Sequence, residues 1–249
     1  MSITKVFAHR GASGYAPENT LEAFALAIEQ GADGIELDVQ LSSDGIPVVI
    51  HDETIDRVTE KTGYVKDYTL QELKELTVLK DKFPEYGQSK IPTLKEVLEA
   101  VKSSGIQVNI ELKTGIYWYP DIEKKAAEIV EETGMKEKII YSSFNHYSIQ
   151  RIKEIVPNAE TAYLYSDVIL NVEDYAKKTN VDGLHPAVYH VKMADFLKEY
   201  VKSGLDVRVW TVNEEADMRA LTEAGVTAVI TNYPDVAVRV RKESVLSGY

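Results

Sequence analysis

Two histidines, one arginine and one lysine fall where short apolar runs end, and together they could move protons around a bound anion. His9 closes Phe7-Ala-His9-Arg10-Gly, and His51 closes Val48-Val-Ile-His51-Asp. Imidazole titrates near neutral pH, so a histidine pair can supply a base and an acid at once. Arg10 offers a forked pair of donors and Lys113 a point charge, a combination suited to phosphate oxygens.

Carboxylates recur in the same neighbourhoods. Gly34-Ile-Glu36-Leu-Asp38-Val places two of them at i and i+2, and Asn109-Ile-Glu111-Leu-Lys113 places a carboxylate and an ammonium likewise. That spacing aims both side chains of each pair to one side of a strand. On an exposed antiparallel sheet, such alternation would be an ordinary solvated face. In a parallel barrel both faces are covered, and unpaired buried carboxylates must find cations. Glu36, Asp38 and Glu111 converging without enough basic partners point to one divalent cation. Hard oxygen ligands favour Mg²⁺ or Ca²⁺, with Mn²⁺ as a third option, over zinc.

The elements that must hold these residues read as βα units. Strands are expected near Lys5–Ala8, Gly34–Val39, Gln107–Leu112, Lys138–Ser142, Thr161–Tyr165, Gly183–His185, Asp206–Val212 and Ala228–Thr231, with Pro47–Ile50 extending the second unit. Helical spacing marks Ile122–Glu132, Tyr147–Ile155, Met193–Lys202 and Glu214–Ala224. Asn19-Thr-Leu-Glu22 and Thr93-Leu-Lys-Glu96 read as capping boxes opening two more helices. Eight strands alternating with helices make a (β/α)8 TIM barrel, whose active face lies at the C-terminal ends of its strands. The gap from Asp52 to Pro92 is too long for a βα loop, and Thr69-Leu-Gln-Glu72 starts a short helix inside it. We read residues 1–249 as one domain with a small insertion after the second strand, at about 52–92. The insertion is either a small lid or substrate-selecting subdomain on the active face, or a mere extension.

Bulk properties narrow the partners. The 249 residues suit one barrel. Forty acidic residues against 28 Lys+Arg give a net charge of −12, which argues against nucleic acid and against stable membrane association. The absence of cysteine excludes disulfides and thiolate metal sites. Neither a secretory leader nor a membrane-length apolar stretch is evident, and a cytoplasmic protein is expected.

Read in order, His9-Arg-Gly-Ala-Ser-Gly-Tyr-Ala-Pro-Glu-Asn-Thr20, Glu36-Leu-Asp38-Val, His51-Asp-Glu-Thr-Ile-Asp-Arg57 and Glu111-Leu-Lys113 closely resemble the glycerophosphodiester phosphodiesterase family. Trp210-Thr-Val-Asn213 and Thr231-Asn-Tyr-Pro234 resemble its last strands. The resemblance implies metal-dependent hydrolysis of a small glycerophosphodiester to glycerol 3-phosphate and an alcohol. Carried over residue by residue, it makes Glu36, Asp38 and Glu111 metal ligands and His9 and His51 the acid–base pair. Arg10 and Lys113 become phosphate contacts, and Trp210 an apolar wall against the glycerol. Asn232 stands where the family often has Asp. By similarity to phosphatidylinositol-specific phospholipase C, the glycerol 2-hydroxyl would attack first, with His9 as base and His51 as acid. Close rivals are a lysophospholipase D or a phospholipase-C-like enzyme. A glycosidase built on two carboxylates would not need the histidine pair, and a binding-only barrel would lack a ligand or base.

Other features carry less. Gly11 and Gly14 suit a tight turn but not a P-loop. Phe144 lines or plugs the mouth, and Tyr117-Trp118-Tyr119 forms a head-group wall or an interface patch. His146 and His190 read as surface residues, and His185 has no assigned role.

Overall fold

The computed structural model describes residues 3–79, 81–193 and 196–246. Eight parallel strands close into a barrel: β1 (Lys5–His9), β2 (Gly34–Leu41), β4 (Gln107–Leu112), β5 (Ile139–Ser143), β6 (Glu160–Tyr165), β7 (Gly183–Pro186), β8 (Asp206–Val209) and β9 (Ala228–Thr231). β9 pairs back onto β1, with Phe7 beside Ile230. The ninth strand, β3 (Pro47–Val49), runs antiparallel on β2, with Val39 opposite Val49. The TIM barrel read from the sequence is the observed fold.

Alternation along each strand divides the core in two. Outward residues such as Val6, Ile35, Val108, Ile110 and Val207 merge with the apolar faces of the helices into one large cluster. Inward residues Phe7, Ile140, Ala162, Ala228 and Ile230 form a smaller cluster inside the barrel, with Trp210 packed against it. Phe7 fills the barrel floor so tightly that a Cβ at Gly34 would lie 2.4 Å from its ring. The strand that carries two carboxylates must therefore begin with glycine.

The helices are α1 (Leu21–Glu29), α2 (Leu70–Glu75), α3 (Leu94–Val101), α4 (Ile122–Thr133), α5 (His146–Ile155), α6 (Val172–Lys178), α7 (Phe196–Lys202), α8 (Glu215–Ala224) and α9 (Pro234–Leu246). Capping boxes open α2 at Thr69 and α3 at Thr93. α1 differs from its expected start: Thr20, not Asn19, is the cap, and its hydroxyl accepts from the Ala23 N–H. Asn19 instead adopts a left-handed backbone at φ 58°. The helix read over Met193–Lys202 is α7, which begins at Phe196; a 3₁₀ turn, Val188–Lys192, lies before that stretch, and residues 194–195 lie outside the described residues. Helices α6 and α9 escape the periodicity: α6 is seven residues long, and α9 begins at a proline directly after the last strand.

The expected insertion is present between β3 and α3. Ile55, Val58, Val65, Leu73, Leu76, Val78 and Ile91 form an apolar cluster of their own, resting on Val48 and Ile50. No described helix is long and apolar enough to cross a membrane.

Candidate active site

Strand register brings the carboxylates together. His9 stands beside Glu36 across β1 and β2, and Asp38 stands beside Glu111 across β2 and β4. Glu36, Asp38 and Glu111 are 4, 1 and 8 % exposed, and one oxygen from each lies within 4.8 Å of the others. Burial and the neighbouring carboxylates push the Glu36 carboxyl well above its ordinary range. Burial also raises Glu111, although Lys113 opposes it. Asp38 is buried too, but Arg10, His51, Lys113 and the Asn19 amide outweigh that and hold it below the usual carboxylate range.

These groups do not neutralise one another. Lys113 donates to Glu111 at 3.0 Å and lies 3.9 Å from Asp38. The Arg10 N–H donates to Glu36 at 2.9 Å and its Nε lies 3.4 Å from Asp38, while Glu18 takes its outer nitrogen at 2.9 Å. Two cations thus face three buried carboxylates and a fourth outside them. Asp38 Oδ1 has no hydrogen-bond partner. A donor set of hard oxygens with one lone-pair site left open fits a divalent cation.

The two histidines are held differently. His9 Nδ1 lies 2.8 Å from the Asn232 amide oxygen, so that nitrogen carries the proton and Nε2 keeps its lone pair. Burial first, then the Arg10 charge, lowers the His9 imidazole to about 4, against the smaller opposing pull of Asn232 and Asp38. His51 Nδ1 instead faces a carboxylate, Asp52 Oδ1, at 2.6 Å. Arg57 Nε donates to the other Asp52 oxygen at 2.6 Å, and the Arg57 fork grips Glu18 at 2.7 and 2.8 Å. Arg57, against the cost of partial burial, together with His51 settles the Asp52 carboxyl at about 2. A continuous chain of hydrogen-bonded side chains, His51–Asp52–Arg57–Glu18–Arg10, therefore runs round the mouth.

A family model for the glycerophosphoryl diester phosphodiesterase family matches residues 9–236. The chain belongs to that family. A glycerophosphodiester phosphodiesterase from Caldanaerobacter subterraneus subsp. tengcongensis is 42 % identical over 240 residues, covering 96 % of this chain and 98 % of the relative. A phosphodiesterase of Oleispira antarctica, solved with its product sn-glycerol-3-phosphate, has a TM-score of 0.88 at 31 % identity, over 96 % of this chain and 97 % of that one. A glycerophosphodiester phosphodiesterase structure from Thermotoga maritima has a TM-score of 0.78 at 32 % identity, covering 96 and 99 %. This family membership makes the chain a hydrolase.

Within this phosphodiesterase the motif residues take defined places. Gly11 turns the chain at φ 82°, where a Cβ would meet the Ala23 backbone at 2.7 Å, and a Cβ on Gly14 would enter the Tyr233 ring. The tight first turn expected there is the observed one. Trp210, just past β8, keeps a parallel bridge to Ala187, donates from Nε1 to the His185 carbonyl at 2.7 Å, and meets the Phe144 ring edge-on at 5.5 Å. Phe144, 40 % exposed, lines the mouth beside Trp210 rather than plugging the barrel.

The remaining histidines correct the sequence reading. His190 is fully buried, and His146 is half-buried and stacked on Tyr163 at 3.9 Å. His190 is therefore not a surface residue and His146 only partly one; aromatic packing, invisible to local polarity, covers the first and half-covers the second. His185 is buried inside the barrel beside Arg208, and burial and that charge push it well below its ordinary value.

Several supporting residues carried no independent signal in the sequence. Asn19 donates to Asp38 at 2.9 Å. Gln40 donates to the carbonyls of Ile50, His51 and Asp52, at 3.2, 3.0 and 2.6 Å, and accepts from the Tyr119 hydroxyl. Asn213 accepts from the Asn232 N–H at 3.0 Å and so steadies the His9 partner. Glu18, Asp52 and Arg57 lie inside the quoted motifs, but their roles depend on contacts between loops.

Proposed function

We infer that this chain hydrolyses glycerophosphodiesters to glycerol 3-phosphate and an alcohol, with Glu36, Asp38 and Glu111 holding one Mg²⁺ or Ca²⁺ ion. The observation that carries this reading is the unequal pair of histidines beside an under-neutralised carboxylate cluster. A bound divalent ion would supply Lewis-acid stabilisation of charge developing on the phosphoryl oxygens. Arg10 and Lys113 would contact the same oxygens, Arg10 through its fork and Lys113 as a point charge.

His9 Nε2, kept neutral with its lone pair free, accepts the proton of the glycerol 2-hydroxyl. That oxygen forms a bond to phosphorus, and the bond from phosphorus to the head-group oxygen breaks. His51 Nε2 donates its proton to the departing oxygen, while Asp52 compensates the positive charge that a donating ring carries. Water then opens the five-membered cyclic phosphate with the two proton transfers reversed, which leaves glycerol 3-phosphate. Intramolecular attack has the entropic advantage of a preassembled nucleophile. Trp210 and Phe144 offer an apolar wall to the glycerol carbons.

The testing experiment assays glycerophosphocholine, glycerophosphoethanolamine and lysophosphatidylcholine with Mg²⁺, Ca²⁺ and Mn²⁺ in turn. Release of glycerol 3-phosphate from the soluble diesters is expected. Turnover confined to lysophosphatidylcholine would transfer the reading to a lysophospholipase D.

A further inference from the structure

Tyr64 belongs to the insertion and Tyr117 to the loop between β4 and α4, yet their rings meet edge-on, with centroids 5.8 Å apart and planes at 82°. Between them sits a cation. Lys66 Nζ lies 5.3 Å from the Tyr64 centroid and 5.2 Å from that of Tyr117. Two aromatic faces meeting at a right angle around an ammonium are the arrangement that recognises alkylammonium ligands. The resident ammonium is weakly placed: Lys66 is 38 % exposed, sits on a flexible stem, and has a second partner in Asp67 at 2.9 Å. It can leave the pocket without losing its ion pair.

The ring pair stands on the His51 side of the mouth. Tyr64 is bridged to Thr54, and the Val65 N–H donates to the Glu53 carbonyl at 2.9 Å. Thr54 is three residues from His51, at most about 10 Å of chain. The Tyr117 loop is tied to the same place, since the Tyr119 hydroxyl donates to Gln40, whose amide holds the His51 and Asp52 carbonyls. Glu53 makes no ion pair among the described residues, and its charge reaches the Tyr119 hydroxyl. A cation arriving here would meet two ring faces, with the Asp67 carboxylate close by. Trp118 faces elsewhere, with the Arg151 guanidinium 3.8 Å over its ring.

We propose that Tyr64 and Tyr117 form a seat for the alkylammonium head group of a glycerophosphodiester, from which Lys66 is displaced when such a substrate binds. This rests on the functional reading in which His51 protonates the leaving alcohol, because that role puts the head group on the side where the seat lies. The pocket selects among head groups and takes no part in bond breaking.

The experiment measures kcat/KM for glycerophosphocholine and for glycerophosphoglycerol, whose head is neutral, and follows their ratio. Tyr64→Leu and Tyr117→Leu should each lower the ratio about 2- to 30-fold, the span of one cation–π contact. Tyr64→Phe and Tyr117→Phe should restore it, since a ring face remains. Lys66→Met, which removes the resident competitor, should raise it, and Trp118→Leu should leave it unmoved. A ratio unchanged in both leucine variants, or lowered by Lys66→Met, overturns the proposal and leaves Lys66 as a latch between insertion and loop. If the wild type cleaves neither diester, the functional reading fails instead. The seat is then tested alone by titrating tetramethylammonium and following the tyrosine ring resonances. Shifts that vanish in Tyr117→Leu support the seat, and none in the wild type sinks it.

Discussion

The barrel buries charge at both ends of its interior, and the two ends solve the problem in opposite ways. At the N-terminal end, Arg208, 3 % exposed, reaches Glu160 and Asp206, which sit at the solvent edge. One guanidinium lies between two carboxylates that water also reaches, although its Nε has no hydrogen-bond partner. At the C-terminal end, Glu36, Asp38 and Glu111 are all buried, their cations are shared, and Asp38 Oδ1 is left open. A buried group without a partner costs free energy that folding alone gives no reason to accept. The difference is one of charge balance: the upper end gathers three buried carboxylates that could hold a metal ion, the lower end one buried guanidinium between two wetted carboxylates.

The largest consequence of that difference is catalytic. Chelation with excess EDTA should abolish glycerol 3-phosphate release, and restoring a divalent ion should recover it; turnover that survives chelation removes the cation from the account. Next come the histidines. His9→Ala and His51→Ala should each lower kcat by about 10²–10⁴, the range for general acid–base catalysis. A diester with a good leaving group should partly rescue His51→Ala but not His9→Ala, because only the former variant lacks the proton for the departing oxygen. Equal rescue of both, or wild-type turnover of His51→Ala on a poor leaving group, contradicts the assigned roles.

Much of this contrast is legible in the sequence alone. Carboxylates at alternate positions of Gly34–Leu41 and Gln107–Leu112 stand out because barrel strands are otherwise apolar, and period-two geometry then fixes their shared direction. His9 and His51 are marked by their places at strand ends. The arginine chain was not legible, since Glu18 and Arg57 are 39 positions apart and meet only when the insertion folds over the first loop. Asn19 illustrates a second failure. Its residue type and the Glu three positions later imitate a helix cap, but Thr20 takes that place and frees the Asn19 amide for Asp38. His146 and His190 failed for a third reason: burial by aromatic neighbours is a tertiary fact that flanking polar residues conceal.

The lower end of the barrel should respond in stability rather than in rate. Arg208→Met keeps the volume and removes the charge, so Glu160 and Asp206 lose their common partner. Both acids can turn toward water, which limits the cost to about 1.5–3 kcal/mol, the worth of a charged hydrogen bond. Urea unfolding would read that loss, while kcat/KM stays at the wild-type value. A fall in kcat/KM without a loss of stability would mean that the two ends are coupled, through His185 and the Trp210 indole that its carbonyl holds.

The smallest effect is the most direct test of the open upper end, and it has a sign. Glu36 and Glu111 are raised in the folded protein. Without a metal ion, the folded state therefore holds protons that the unfolded chain has already released. Stability of the metal-free protein falls as pH climbs above the ordinary carboxylate range, because the unfolded state then binds fewer protons. His9 acts in the opposite sense: lowered from 6.5 to about 4, it adds stability as pH rises between those values. A divalent ion displaces the carboxylate protons, and its stabilisation grows as those protons become easier to remove. At a free concentration about 100-fold above Kd, the gain is roughly 5–10 °C in Tm for a chain of this length. Melting curves with and without Mg²⁺ or Ca²⁺ at about pH 5.5 and about pH 8 should show the larger shift at the higher pH. A shift that is equal at both values, or larger in acid, would place the ion away from Glu36 and Glu111. Loss of the shift in Asp38→Asn would tie it to the carboxylate whose Oδ1 has no hydrogen-bond partner.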